Sequence, residues 1–367
     1  MPDKTTLYFE EDGNIDDVKG KKITVVGYGN QGRAQSLNMK DSGLDVIIGN
    51  KEDDYKKTAL SDGFEVFDIP EAVKQGDIVF ILAPDEIMTE LYTKEIEPNL
   101  KEGACINFAS GYNIAFDLII PSEKIDVIMI APRMIGVGVR ENYLSGEGYF
   151  SFVCVHQDSS GKAKQILLGL SKALGTLKKG AVETTMKQEA ILDLFNEQAF
   201  GPAFGRVLLT AIKVLIKNGL PPEATLIEMY MSNEMSYTYT KMGQIGLVKQ
   251  TNFHSHTSQY GAMSRGARYM GLPLEEKMQR SFDEISTGKF AKEWAGKLAK
   301  LKFKVIKFFA MKQKINKIEQ EVRKNLKLKE FDVYSAPEGV EALLKKPEIM
   351  EDIKDIVDSF NLDSFEF

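Results

Sequence analysis

From residue 21 onward the chain alternates short apolar runs with longer amphipathic stretches. The runs KITVVGYG, LDVIIG, FEVF, DIVFILAP, ACINFAS, DVIMIAP and FSFVCVHQ are rich in β-branched residues and bounded by Gly, Pro or Asp. Such runs predict strands. Between the early ones lie GRAQSLNMKDSG, DYKKTALSDG, PEAVKQG and a stretch from about Asp85 to Leu100, all with helical spacing. Strands alternating with helices predict right-handed βαβ units on a doubly wound parallel sheet, covered on both faces.

The pattern changes near residue 183. TMKQEAILDLFNEQAFGPAFGRVLLTAIKVLIKNG is apolar at helical spacing, with internal glycines. PPEATLIEMYMSNEMSYTYTKMG begins a second helix, with its prolines in the first turn. No convincing strand follows Thr185. The chain therefore divides into an α/β domain over 1–184, an all-α domain over 185–329 and an acidic extension over 330–367. The extension carries one amphipathic segment, PEIMEDIKDIVDSF. Just before it, KLAKLKFKVIKFFAMKQKINKIEQEVRKNLKLK is strongly basic. A solvated helix face with Leu, Ile and Phe turned inward explains that stretch better than a nucleic-acid or membrane surface does.

Composition adds limits. The 367 residues are 43% apolar and 27% charged, with a net charge of -6. That is a globular balance and argues against bulk nucleic-acid binding. Cys105 and Cys154 sit in apolar runs and read as buried strand thiols. The segment MPDKTTLYFEEDGN is polar and acidic, unlike a signal peptide. No apolar run reaches membrane-spanning length. A reducing cytoplasmic compartment is the expectation, with neither membrane nor nucleic acid as partner.

Gly27, Gly29 and Gly32 in VVGYGNQG form G-x-G-x-x-G, with Tyr28, Asn30 and Gln31 between them. The motif follows a strand and opens a helix, the context in which it binds a dinucleotide. The first glycine allows the tight turn, the second lets backbone approach a pyrophosphate, and the third lets helix and strand pack closely. This makes the α/β domain a Rossmann-type nucleotide domain. After the second strand, NKEDD supplies Asn50, Lys51, Glu52, Asp53 and Asp54. A carboxylate there would accept from a ribose 2'-hydroxyl and repel a 2'-phosphate, which favours NADH over NADPH. Lys51 and Arg33 leave NADPH open. Pro84, Asp85, Ser110 and Gly111 fall at strand ends, where such sheets bind ligands.

A second constellation lies in the helical half. Asp193 and Glu197 stand four apart in ILDLFNEQ, on one helix face, where like charges repel. Glu228 lies on the next helix. Carboxylate oxygens on neighbouring helices suit Mg²⁺. Plain solvent exposure is the alternative for all three.

Taken in order, GYGNQG, LAPDE, FASGYNI, MIAPRMIGVGVR, VHQDSSGKAK, VETT, DLFNEQ, NGLPPEA, HTSQYG and GKFAKEW resemble the ketol-acid reductoisomerase family over residues 5–329. The resemblance implies a knotted helical C-terminal domain, a homodimer or larger homo-oligomer, NAD(P)H and two Mg²⁺. It implies a place in branched-chain amino acid biosynthesis. A 2-acetolactate-type keto acid would undergo an alkyl shift and then hydride reduction to a 2,3-dihydroxy acid. By the same resemblance Asp193 and Glu197 are metal ligands, Glu228 opens a second carboxylate pair reaching over from a partner subunit, and Ser255 binds substrate.

Three positions depart from the family pattern. Ser232 stands where a glutamate is expected, Ser110 where a histidine is, and Arg133 where a lysine is. Glu234 lies six residues after Glu228. On an unbroken helix it would point about 120° away, at roughly 100° per residue. Arg133 keeps the charge of lysine but not its shape or titration. Ser110 and Arg133 join the candidate catalytic and cofactor-binding residues. These departures keep two other readings open: a family member that reduces or oxidises another small keto or hydroxy acid without isomerisation, and a non-catalytic nucleotide-binding protein.

Overall fold

The computed structural model describes residues 5–328. The acidic extension expected over 330–367 lies outside the described residues. Two compact units meet in the chain between Leu194 and Phe195.

The first unit is built on nine strands: β1 Leu7–Tyr8, β2 Lys22–Val26, β3 Asp45–Gly49, β4 Val66–Phe67, β5 Ile78–Ile81, β6 Cys105–Phe108, β7 Asp126–Pro132, β8 Ser151–Gln157 and β9 Ala181–Glu183. Their order across the sheet is β1-β9-β8-β7-β6-β5-β2-β3-β4. From β4 across to β7 every pairing is parallel. The order reverses at β2, between β3 and β5, which is the switch point where ligands bind such sheets. Helices α1 Asn30–Asp41, α2 Asp54–Ser61, α3 Ile69–Gln75, α4 Asp85–Leu91, α5 Tyr112–Ala115, α6 Gly136–Ser145, α7 Ala163–Leu174 and α8 Met186–Phe195 complete it.

The central strands are apolar throughout because both faces are covered. Ile78, Phe80, Ile128 and Ile130 enter the core on one face. Their neighbours Val79, Ile81, Val127 and Met129 enter the core on the other. Side chains alternate across a strand, so a helix layer on each face turns alternation into a continuous apolar run. Each fully buried residue of this size contributes about 1.5–3 kcal/mol. Cys105 and Cys154 are free and buried in β6 and β8.

The sheet departs from the expected all-parallel arrangement at one side. β8 runs antiparallel to β7, and β1 antiparallel to β9. After β7 the chain forms α6 and turns back, instead of crossing over the sheet as a parallel neighbour requires. β1 and β9 are two and three residues long, too short to leave a periodic signal in sequence.

The second unit is helical among its described residues: α9 Gly201–Lys217, α10 Pro222–Leu226, α11 Glu234–Ile245, α12 His256–Gly266, α13 Leu274–Ser286, α14 Lys289–Trp294, α15 Ala299–Met311 and α16 Lys314–Asn325. Ile212, Leu226, Ile315 and Val322 form a buried cluster that joins α9, α10 and α16.

Two details differ from the sequence reading. The helical run Met186–Lys217 spans 32 residues and is long and apolar enough, by length and composition, to cross a membrane. Gly201, Pro202 and Gly205 break the apolar runs in sequence without ending the helix. Further on, one long helix after Pro222 is replaced by two. A wide π turn, Ile227–Met231, ends at Ser232, and Asn233 adopts φ 64 before α11 begins. Asparagine tolerates that left-handed conformation better than most residues.

Candidate active site

The glycine turn after β2 is formed by backbone geometry that side chains would obstruct. Gly27 has φ +93, and a Cβ there would lie 2.8 Å from the Leu82 carbonyl oxygen. A Cβ at Gly32 would lie 2.1 Å from the carbonyl oxygen of Gly27, so α1 can approach β2 only without one. At Gly29, the N-cap of α1, nothing lies within 4 Å of where a Cβ would be. The backbone is open there, at a helix N-terminus suited to a phosphate.

A cavity of about 1030 Å³ opens over this turn. Gly27, Tyr28, Gly29, Asn30 and Gln31 line it, with Asn50, Lys51, Glu52 and Asp53 after β3 and Pro84 after β5. Its size and its place at the switch point fit a dinucleotide. Gly32 acts one turn inward, by packing.

The acidic run after β3 is already engaged. Asp53 Oδ1 caps α2, accepting from the backbone N–H groups of Tyr55 at 3.0 Å and Lys56 at 3.2 Å, and from Asn50 Nδ2 at 2.8 Å. Such a cap stabilises a helix by about 1 kcal/mol. Asp54 lies outside the cavity lining and pairs with Lys57 at 2.8 Å. Glu52 stays on the rim, 79% exposed, with Lys56 at 2.8 Å. Arg33 is held away by Asp62, whose two oxygens accept from Nε at 2.7 Å and Nη2 at 3.1 Å. That guanidinium draws the Asp62 carboxyl below its ordinary range.

A charged cluster forms where β7, β6 and α8 meet. Arg133, just past β7, donates from Nη1 to Asp193 Oδ1 at 2.8 Å and from Nη2 to Glu189 Oε1 at 2.9 Å. Its guanidinium lies over the Phe152 ring, 4.9 Å from the centroid. Glu189 is fully buried. Its Oε2 accepts from the Gly111 backbone N–H at 2.6 Å, with Ser110 Oγ at 3.5 Å. Burial pushes its carboxyl up to about 7, against the opposing pull of the Gly111 N–H and Arg133. The close approach of α8 to Gly111 leaves no room for a side chain, since a Cβ would lie 2.1 Å from the Met186 carbonyl oxygen.

Glu189 was not singled out in sequence. The available signal was its place four residues before Asp193, which puts both acids on one helix face. Asp85 accepts from Asn113 Nδ2 at 2.8 Å, away from the cavity lining.

One hydrogen bond joins the two regions. Gln31 Nε2, in the cofactor turn, donates to the carbonyl oxygen of Met134 at 2.9 Å. The residue after Arg133 is thereby tied to the first turn of α1.

Other sequence candidates fall in the second unit. Glu197 lies in the π turn Asn196–Phe200 that follows α8. Glu228 lies in the π turn Ile227–Met231 and is exposed. Ser255 is the N-cap of α12, its Oγ accepting from the Ser258 backbone N–H at 3.2 Å. Two π turns at two candidate ligands are notable because such turns are rare and frequent at functional sites.

Comparison with known proteins matches both units. Residues 17–180 match the family described as acetohydroxy acid isomeroreductase, NADPH-binding domain. Residues 186–328 match the family described as ketol-acid reductoisomerase, C-terminal domain.

The chain belongs to the ketol-acid reductoisomerase family.

Relatives agree with that membership. The chain is 42% identical over 289 residues to the ketol-acid reductoisomerase (NADP(+)) of Petrotoga mobilis, covering 78% of this chain and 87% of that one. The corresponding protein of Pyrococcus abyssi is 38% identical over 296 residues, covering 80% and 89%. Among solved structures, an NADH-preferring ketol-acid reductoisomerase from an uncultured archaeon superposes with a TM-score of 0.82 at 34% identity. That match covers 87% of this chain and 98% of the other. The Rossmann-type sheet followed by a helical half is the architecture of this reductoisomerase family, as the resemblance in sequence implied.

The family implies Mg²⁺. Asp193 and Glu197 offer hard carboxylate oxygens, the donor type Mg²⁺ takes. Arg133 holds Asp193 Oδ1, while Oδ2 takes no hydrogen bond among the described residues. Among those residues no three His, Cys, Asp or Glu side chains gather as a metal-holding group. The donor type at Asp193 and Glu197 therefore suits Mg²⁺, without a complete ligand set among the described residues.

Proposed function

We propose that this protein is an NAD(P)H-dependent ketol-acid reductoisomerase that converts a 2-acetolactate-type substrate to a 2,3-dihydroxy acid. The observation that carries the reading is the Gln31–Met134 hydrogen bond at 2.9 Å. It fixes the dinucleotide turn against the strand end that presents Arg133, which in turn holds Glu189 and Asp193 of α8. A hydride donor and a charged substrate-side cluster are thereby held by one rigid sheet edge, the positioning that hydride transfer needs.

Asp193 and Glu197 would hold Mg²⁺, with Glu228 completing the set from another subunit. When bound, the ion supplies Lewis acidity to the ketol oxygens. Arg133 orients Asp193 through the Nη1–Oδ1 hydrogen bond at 2.8 Å. Glu189 holds Arg133 from behind and accepts the Gly111 N–H. Each terminal guanidinium nitrogen donates to one of these carboxylates, so Arg133 acts by placing Asp193. Ser110 and Ser255 supply hydroxyls toward substrate.

The cofactor is NADH in preference to NADPH. Arg33 is committed to Asp62, and Glu52 stands at the cavity rim, so a 2'-phosphate would meet a carboxylate. Lys51, 76% exposed and 3.9 Å from Asp53 Oδ2, is a cation on that rim.

The protein works as a cytoplasmic homo-oligomer, at least a dimer, with no membrane or nucleic-acid partner. On the apolar run Met186–Lys217, Phe204, Val207 and Val214 are 37%, 60% and 53% exposed. A second copy covers such a surface better than a bilayer does, because Arg206 and Lys213 would be dragged into the lipid.

Steady-state oxidation of NADH and of NADPH with 2-acetolactate, with Mg²⁺ present or chelated, tests this reading. Mg²⁺-dependent turnover with a higher kcat/KM for NADH is expected. Nucleotide binding without turnover, or turnover unaffected by chelation, would overturn it. A second reading rests on Ser232 and on the hold of Arg133 on Asp193, which weaken the metal set: reduction of another keto acid without the alkyl shift.

A further inference from the structure

One wall of the nucleotide cavity is α4 and the π turn Tyr92–Ile96 that continues it. Ile87, Glu90 and Leu91 of α4 line the cavity, at i, i+3 and i+4 on one helix face, followed by Lys94 of the turn. Asp85, Met88 and Thr89 share another face by the same spacing. At about 100° per residue the two faces look in nearly opposite directions. The second face is therefore the back of the cavity wall.

All three residues of that back face meet one side chain. Asn113, on α5, is 1% exposed. Its Nδ2 donates to Asp85 Oδ1 at 2.8 Å and to Met88 Sδ at 3.3 Å, and its Oδ1 accepts from Thr89 Oγ1 at 3.3 Å. A buried amide is costly unless its donor and acceptor are both used, and here α4 uses both. An apolar residue could fill the same place without polar cost. Hydrogen bonds are directional and apolar contacts are not, so the amide fixes where α4 sits and how it is rotated. The far end of the wall is held differently, by burial of Tyr92 and Ile96 in the core. Two residues before Asn113, the Gly111 N–H is held by Glu189, which also accepts from Arg133. The same short helix thus joins the cavity wall to the charged cluster. We propose that Asn113 is a positioning residue for the cofactor: through Asp85 it latches α4 in the place where the dinucleotide packs against it. Asp85 then serves nucleotide binding by holding the wall and not by touching the ligand. The inference rests on the reading of this cavity as the NAD(P)H site.

The test titrates the full chain with NADH and reads binding by the nucleotide's fluorescence, so it needs no turnover. D85A removes the acceptor, N113L removes the amide at similar volume, and D85N keeps an oxygen for the Asn113 N–H while losing the charge. D85A and N113L are each expected to weaken NADH binding by about tenfold. The double variant is expected to lose about the same tenfold and not the roughly hundredfold of two independent losses, because both changes break one contact. D85N is expected to stay within about threefold of the parent, since a neutral hydrogen bond replaces a charge-assisted one. In turnover, D85A raises KM for NADH while kcat at saturating NADH stays within about threefold, a split that a simple loss of folded protein does not produce. A loss in D85N as large as in D85A would overturn the proposal, because the charge of Asp85 would then be acting on the nucleotide itself. Unchanged binding in D85A, or losses that add in the double variant, would overturn it too. If N113L does not fold, the comparison of D85A with D85N decides alone. A parent protein that binds neither NADH nor NADPH would overturn the nucleotide site first, and the latch with it.

Discussion

Glu189 is the group on which burial and pairing compete most directly. Its carboxyl is fully buried and pushed up to about 7 from an ordinary value of 4.5, with burial the largest cause. Between those two values the folded protein keeps a proton that the unfolded chain has lost. Stability therefore falls as pH rises through this window, and is level above it. One pH unit corresponds to 1.36 kcal/mol, so the full window amounts to about 3 kcal/mol. Replacing Glu189 with Gln removes the titration. The Gln oxygen can serve the Gly111 N–H, but its amide then faces Arg133 Nη2, at a pH-independent cost of about 1–3 kcal/mol. The variant is thus expected to be less stable than the parent near pH 5 and to close or reverse the gap by pH 8. Urea unfolding of both proteins at one concentration across that range measures the difference. Two parallel profiles would refute the reasoning. They would mean that Arg133, at 2.9 Å, offsets the cost of burial and that the carboxyl titrates in the ordinary range.

Further outcomes are expected elsewhere. Gly32→Ala drives a methyl into the Gly27 carbonyl oxygen, so nucleotide affinity measured by calorimetry should fall about tenfold or more, with a stability loss of about 1–3 kcal/mol. Asn107 is fully buried on β6, and neither side-chain polar atom has a hydrogen-bond partner among the described residues. Asn107→Leu should therefore raise the unfolding midpoint, by about 1–2 kcal/mol in stability, and not lower it. Val207→Lys alters a residue that is 60% exposed in the single chain. It should leave secondary structure unchanged in circular dichroism while sedimentation shows loss of the homo-oligomer.

The nucleotide half was legible in sequence because each feature is local. VVGYGNQG sits between an apolar run and a helix; Gly27 and Gly32 stand where a Cβ would meet backbone, and Gly29 is open. The central strands were legible because burial on both faces removes polar residues from them. β1 and β9 were not, since two or three residues carry no period and their pairing is made by distant chain. The direction of β8 was also hidden, because a helix-containing connection can return either way. At the candidate site, Arg133 and Asp193 were found as residues but not as partners. Their contact spans sixty positions, and the residue that organises them, Glu189, is marked only by its spacing from Asp193. The break at Ser232 and Asn233 shows why carrying one helical period through 222–245 misplaced Glu234: the left-handed Asn233 resets the register before α11.

The central claim is that this chain performs both an alkyl shift and a hydride transfer. The most direct measurement supplies two substrates in parallel with NADH and Mg²⁺: 2-acetolactate, and the rearranged 3-hydroxy-2-keto acid that the shift would produce. Consumption of both, with mass spectrometry finding the same 2,3-dihydroxy acid, is the expected result. Reduction of the rearranged acid alone would contradict the isomerisation, and reduction of neither would contradict the assignment of substrate altogether.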